Sequence, residues 1–145
     1  LTASDAEQIF LDHYYKRPGV ARLPEVVQAS VFDMYVNAGG NAVRILQRLL
    51  REFGQSISVD GAIGPITARL THAAYAAAPE HLTDAYGIAR RNYYYRLGDR
   101  RAASRKFARR RDGGKGGWIV RAEEFISPKY HFSADDHKRR VSVWA

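Results

Sequence analysis

Asn41-Ala42-Val43-Arg44-Ile45-Leu46-Gln47-Arg48-Leu49-Leu50-Arg51-Glu52-Phe53-Gly54 is the stretch that decides the fold class. Ala42, Ile45, Leu46, Leu49, Leu50 and Phe53 recur at helical spacing, so they share one face of an α-helix. Asn41 can cap its start and Gly54 is a natural stop. Such a helix must lay its apolar face on other elements, and the flanking segments carry the same period. Leu23-Pro24 opens a helix with Pro at its first position; it runs through Val27, Val31, Phe32, Tyr35 and Val36 and stops at Gly39-Gly40. Earlier still, Ser4-Asp5-Ala6-Glu7 fits a capping box. The helix it leads carries Ile9, Phe10, His13 and Tyr14, and Pro18-Gly19 ends it.

Downstream, residues 55–63 read as a loop with room for a short extended piece at Ile57-Ser58-Val59. Pro65 starts a helix through Leu70 and Ala74 that Pro79 closes. A further helix over about residues 80–98 carries Leu82, Ala85, Tyr86, Ala89, Tyr93 and Leu97. The basic run Arg100 to Arg111 either extends it or forms a separate helix. Asp112-Gly113-Gly114-Lys115-Gly116-Gly117 reads as a flexible joint. Trp118 to Ile126 reads as a shorter helix, stopped before Pro128. From Lys129 onward no period is legible, and no internal repeat is visible. The whole pattern is all-α.

The chain has 145 residues, 46% of them hydrophobic, and no cysteine. That length suits one compact domain burying roughly 70% of its unfolded surface, without metal or disulfide staples. Without cysteine there is no disulfide framework, thiolate zinc site or cysteine nucleophile. A net charge of +8 and a pI near 10.0 predict attraction to polyanions. Charge alone does not choose among nucleic acid, anionic membrane surface and acidic wall polymer. No apolar run approaches the ~20 residues of a membrane span. The opening Leu1-Thr2-Ala3-Ser4-Asp5 lacks the pattern of a signal peptide.

Chemistry-bearing residues gather in a few places. In Val59-Asp60-Gly61-Ala62-Ile63-Gly64-Pro65-Ile66-Thr67 the glycines permit unusual backbone conformations, and Asp60 and Thr67 can tie the loop by side-chain hydrogen bonds. A well-made helix connection accounts for this loop on local physics alone. An EF-hand calcium loop does not fit, because its alternating acidic ligands are missing. Asp33 and Asn37 lie four apart on one helix face, as a solvated stripe or as donors and acceptors along a cleft. Tyr14-Tyr15, Tyr93-Tyr94-Tyr95, Trp118, Tyr130 and Trp144 supply aromatic faces, which serve cores and sugar sites alike. Three successive helical tyrosines cannot all face inward.

Glu123 and Glu124 follow Trp118 but, being adjacent, face different ways. They read as helix-surface glutamates, not as a catalytic pair. His131, Asp135, Asp136 and His137 match no strong metal-ligand spacing and read as a polar tail. Arg100-Arg101-Ala102-Ala103-Ser104-Arg105-Lys106-Phe107-Ala108-Arg109-Arg110-Arg111 suits a solvated helix or non-specific phosphate contact.

The ordered series Asp5-Ala6-Glu7 with Tyr14-Tyr15, Leu23-Pro24, Phe32-Asp33 with Val36-Asn37 and Gly39, Leu46-Gln47, Asp60-Gly61 with Ile63-Gly64-Pro65 and Thr67, Arg90 with Tyr94 and Leu97, and Gly117-Trp118 with Arg121 resembles one family. It is the glycoside hydrolase family 108 muramidases, holin-associated wall lysozymes of phages and bacteria, in their C-terminal, peptidoglycan-binding part. The resemblance spans about residues 5–125. It implies a lysozyme-like helical domain over 1–127, leaving 128–145 as a C-terminal tail. It also implies a peptidoglycan ligand and a parent enzyme that hydrolyses the β-1,4 bond between N-acetylmuramate and N-acetylglucosamine.

By the same resemblance Tyr15, Asp33, Asn37, Gln47, Thr67, Tyr94, Trp118 and Arg121 are the expected substrate-binding or groove-scaffolding residues. The family's catalytic Glu sits in an upstream Glu-Gly-Gly segment, which is not found here. No catalytic residue, metal ligand or cofactor is therefore expected in this chain. With no initial Met, a fragment with little activity alone is expected, partnered by peptidoglycan and by the missing segment or a holin system. Action at the periplasm or cell wall after release from the cytoplasm would follow. The competing expectation is a basic helical nucleic-acid-binding module led by Arg100–Arg111.

Overall fold

A computed structural model describes residues 2–13 and 18–144. Among the described residues the chain is all-α, with eight helices and no strand. It forms two compact units, Leu1–Tyr86 and Gly87–Ala145.

In the first unit, α1 (Ala3–Leu11) is capped by Thr2, whose hydroxyl accepts from the Asp5 amide while the Asp5 carboxylate accepts from the Thr2 amide. The capping box therefore sits two residues before the expected Ser4 and Glu7, because Thr2 and Asp5 make the same three-residue exchange. Helix α2 (Glu25–Ala38) buries Val27, Ser30, Val31 and Met34. The expected Phe32 and Tyr35 are only half-buried and Val36 is exposed. The face through 27, 31 and 34 is one helical stripe, and it turns 32, 35 and 36 aside.

Helix α3 (Asn41–Glu52) buries Ala42, Val43, Ile45, Leu46, Gln47, Leu49 and Leu50. Each fully buried Leu here contributes roughly 1.5–3 kcal/mol. Two readings at its ends shift. Asn41 lies inside the helix, with Gly40 at the cap, and Phe53 is exposed because it follows the last helical residue. Helix α4 (Pro65–Ala77) buries Thr67, Leu70, Thr71 and Ala74, and the Thr71 hydroxyl donates to the Thr67 carbonyl at 2.7 Å. Helix α5 (Leu82–Arg100) begins in this unit, where the buried Tyr86 hydroxyl donates to the Ala42 carbonyl at 2.8 Å.

The second unit holds the rest of α5 with α6 (Arg105–Ala108), α7 (Gly117–Glu123) and α8 (Ala134–Val141). The basic run does not extend α5. Arg101 is extended, Ala102–Ser104 make a 3-10 turn, and α6 is a separate short helix. Nor is the glycine-rich segment a loose joint. Arg109 and Lys115 form an antiparallel bridge, the Arg110 amide donates to the Gly114 carbonyl, and the Gly116 amide donates to the Ala108 carbonyl. Asp112 closes the turn by accepting from the Gly114 amide at 2.9 Å.

The C-terminal residues are packed as well. Ser133 caps α8 by accepting from the Asp136 amide, and His137, Val141 and Trp144 are buried. Asp99 accepts from the Trp144 indole at 2.7 Å and is gripped by both Arg140 nitrogens at 3.0 and 2.8 Å. Those bonds, Arg140's first, hold its carboxyl below the usual range in spite of partial burial. Helix α8 presents only His137 and Val141 inward, two points that are too few to show a period in the sequence. No helix among the described residues is long and apolar enough to cross a membrane.

Gly116 is the tightest backbone approach in this unit. A Cβ there would lie 2.5 Å from the Phe107 carbonyl oxygen and 2.7 Å from the Ala108 carbonyl carbon. Both are main-chain atoms that cannot swing away. Gly116→Ala is therefore expected to destabilise the protein by roughly 1–3 kcal/mol, whereas Gly117→Ala, with nothing within 4 Å, stays within about 0.5 kcal/mol. Urea unfolding midpoints at unchanged slope provide the check.

Candidate functional site

The polar stripe of α3 builds the loop that precedes α4. Gln47, fully buried, directs its amide nitrogen at the Asp60 carboxylate (2.8 Å), the Ala62 carbonyl (3.1 Å) and the Thr67 hydroxyl (3.1 Å). Its amide oxygen accepts from the Asp60 and Gly61 backbone nitrogens, both at 3.0 Å. One turn along, Arg51 donates to the Ile57 carbonyl at 2.7 Å. Gly61 has φ +80°, and a Cβ on it would meet the Arg44 guanidinium at 2.9 Å. This position needs glycine for its left-handed conformation. The Ala62 amide first, and Gln47 after it, hold the Asp60 carboxyl below its ordinary range. Gln47 and Thr67 thus meet, with both side chains turned inward on the loop. Their geometry is that of a scaffold.

In the second unit an aromatic ladder crosses three helices. Tyr94 of α5, nearly inaccessible, stacks on Trp118 of α7 with centroids 4.7 Å apart and planes 20° from parallel. Phe107 of α6 lies 4.9 Å from Trp118 on a 30° tilt. Trp118 is half-buried and Phe107 is 46% exposed, so the ladder runs from core to solvent. Phe107 escaped sequence reading because it sits within a run of cations. Arg121 lies one turn beyond Trp118 on α7, exposed, with Glu124 at 3.0 Å.

The remaining expected residues fall elsewhere. Asp33 is half-buried and Asn37 exposed on α2. Tyr15 lies outside the described residues. Of the three successive tyrosines, Tyr94 and Tyr95 are buried and Tyr93 is half-buried.

Glu123 corrects the reading of a helix-surface glutamate; only Glu124 is exposed. The Glu123 side chain is 5% exposed and receives Arg91 at 2.7 Å, Lys115 at 2.5 Å and the Phe132 amide at 2.7 Å. Burial pushes its carboxyl up, but Lys115, the Phe132 amide and Arg91 together hold it below the ordinary value. A carboxylate kept charged in this way is unsuited to general-acid work, which needs a raised pKa. The Arg91 guanidinium also lies 3.9 Å from the Phe132 ring centre. The polar tail residues separate: His131 contacts the Ile126 carbonyl and His137 contacts the Tyr95 hydroxyl. Among the described residues no three His, Asp or Glu side chains converge as a metal set.

An aromatic ladder opening to solvent offers flat apolar faces for ligand contact. In comparison with protein families, residues 41–123 match the family described as Predicted Peptidoglycan domain, and residues 1–39 match Glycosyl hydrolase 108. The chain belongs to the peptidoglycan-domain family, with a lysozyme-like helical fold and a glycosyl hydrolase 108 segment ahead of it. No curated protein and no solved structure matched. Peptidoglycan is the partner that this family implies, and the cell wall is the place of action.

Gln47→Leu keeps the side chain's size but leaves the Asp60 and Gly61 amides without their acceptor. The expected loss is roughly 1–3 kcal/mol, with faster hydrogen exchange at those two amides as the local signature. For Glu123, a folded pKa below the ordinary 4.5 means that its stabilisation is complete above that value and lost as pH falls through the folded pKa. Stability should therefore drop in acid below about pH 4.5, and Glu123→Gln should flatten that limb while lowering stability at pH 7. Thermal melts from pH 3 to 7 measure both.

Proposed function

We propose that this chain is the peptidoglycan-recognising portion of an N-acetylmuramidase that hydrolyses the β-1,4 bond between N-acetylmuramate and N-acetylglucosamine. The observation that carries the reading is the Tyr94–Trp118–Phe107 ladder, whose outer members are accessible and lie within the matched peptidoglycan domain. Aromatic faces suit the apolar faces of sugar rings, and burial of Tyr94 holds Trp118 in a fixed orientation for them. Arg121, beside Trp118, would meet a lactyl or peptide carboxylate of the strand. Asp33 and Asn37 would offer hydrogen bonds to hydroxyls and amides. Gln47 and Thr67 would keep the loop before α4 in shape for contact, and Tyr15 would add a further aromatic face. These roles fall within residues 1–127, with 128–145 supporting them.

Hydrolysis requires a carboxylic acid beside the glycosidic oxygen. In this proposal it comes from a glutamate outside residues 1–145, and the glycosyl hydrolase 108 match over residues 1–39 supports such a parent enzyme. Trp118→Ala is expected to reduce co-sedimentation with purified peptidoglycan by about tenfold, the equivalent of about 1.4 kcal/mol, and Phe107→Ala by less. The wild-type chain should bind without clearing a suspension of cell walls. Unchanged binding in both variants would remove the ladder from the site, and vigorous clearing would place an acid within the chain.

The basic segment lines a surface hollow with Arg105, Lys106, Arg109, Arg110 and Arg111, which favours a second reading as a nucleic-acid module. Tight binding to DNA or RNA with a steep salt slope, abolished by neutralising these residues, would support that reading over the first.

A further inference from the structure

The buried indole of Trp144 carries two guanidiniums from the basic run. Arg105 lies 5.6 Å and Arg109 5.4 Å from its ring centre. Arg105 also donates from Nε to the Gly98 carbonyl at 2.8 Å, and Arg109 donates from a terminal nitrogen to the Trp144 carbonyl at 3.4 Å. Both residues are half-buried, unlike the exposed arginines around them. Ring and carbonyls thus hold the two forks in place and leave each with further N–H donors. Together with Lys106, Arg110 and Arg111 they line a surface hollow of about 490 Å³.

Neither fork has a counter-charge of its own. Asp112 is paired with Arg110 and closes the glycine turn. Asp99, which feels the charge of Arg105, is spent on Arg140 and the Trp144 indole. Arg105 and Arg109 also stand four residues apart, a spacing at which like charges on a helical turn repel. Two pinned, uncompensated guanidiniums call for an anion from outside, and forks set beforehand lose little freedom when one arrives. The same turn of chain reaches the aromatic ladder: Phe107 lies between the two arginines in sequence, and its ring meets Trp118. A single polymer with flat rings and acidic branches can therefore engage both.

We propose that this hollow is a subsite for the acidic peptide branches of the glycan strand, with Arg105 and Arg109 receiving their carboxylates while Trp118 and Phe107 hold the sugar rings. The choice of strand rests on the function proposed above; the demand for an anion rests on the two arginines alone. The matched peptidoglycan domain, residues 41–123, includes the whole basic run, which favours the wall strand over nucleic acid as the occupant.

The test is equilibrium binding of the full chain to soluble peptide-bearing glycan strands, to the same strands with their carboxyl groups amidated, and to a neutral oligomer of N-acetylglucosamine. Amidation should weaken binding about tenfold. The double variant Arg105→Gln/Arg109→Gln should lose a similar factor on intact strands, bind the neutral oligomer as before and no longer respond to amidation. Arg48→Gln/Lys129→Gln, at exposed positions that do not line the hollow, removes as much charge and should change binding by less than about twofold. Amidation acts on the unaltered protein, so that arm decides the matter even where the arginine variant fails to fold. Equal binding of intact and amidated strands, a full amidation effect in the arginine variant, an equal loss in the Arg48 and Lys129 variant, or a preference for a DNA duplex at the same salt would each overturn the subsite. The ladder fails separately, if the neutral oligomer does not bind or is indifferent to Trp118→Ala.

Discussion

A polar group taken out of water must find its partners inside the protein, and each unit of this chain is organised around one that does. In the first it is the amide of Gln47, whose oxygen and nitrogen together hold a loop spanning Asp60 to Thr67. In the second it is the carboxylate of Glu123, which ties Arg91 of α5, Lys115 of the glycine turn and the backbone of Phe132 to one point. Within each unit hydrophobic burial drives collapse without direction. These two groups add direction, because leaving either half-satisfied costs more than omitting it.

That division of labour bears on function. Residues whose polar atoms are consumed internally set geometry, while contact with a ligand falls to side chains with accessible faces. Trp118 and Phe107 belong to the second kind, and Tyr94 links them to the core. The same logic marks His137, whose Nδ1 is held by the Tyr95 hydroxyl inside the core. The glycine turn from Arg109 to Gly116 underlies both features. It returns the chain from α6 to α7, bringing Phe107 against Trp118, and it lines the space beside His137.

Much of the helix pattern was legible beforehand. The stripe of α3, the break at Gly39-Gly40, the start at Pro65 and the span of α5 all follow from local periodicity and backbone restrictions. The meeting of Gln47 with Thr67 and of Tyr94 with Trp118 was legible only as membership in one ordered series, with no sign of which atoms would touch. Phe107, Lys115 and His137 were hidden, since a phenylalanine among arginines and a histidine in an aperiodic tail carry no local signal. The glycine run misled for a related reason. Composition reports the freedom of an unfolded segment, whereas Asp112 and the Ala108 carbonyl supply the hydrogen bonds that remove it.

The sequence by itself determined the all-α class, the family and the positions of most helices, because these depend on interactions between residues close along the chain. Tertiary structure alone decided which polar residues are structural and which remain available. It turned Glu123 from a surface charge into a buried anchor and folded the residues after Lys129 into a packed helix. Such outcomes depend on partners 32 residues apart, as for Arg91 with Glu123, or 42 apart, as for Tyr95 with His137. No periodicity connects such pairs; only the closing of the fold brings the donor to its acceptor.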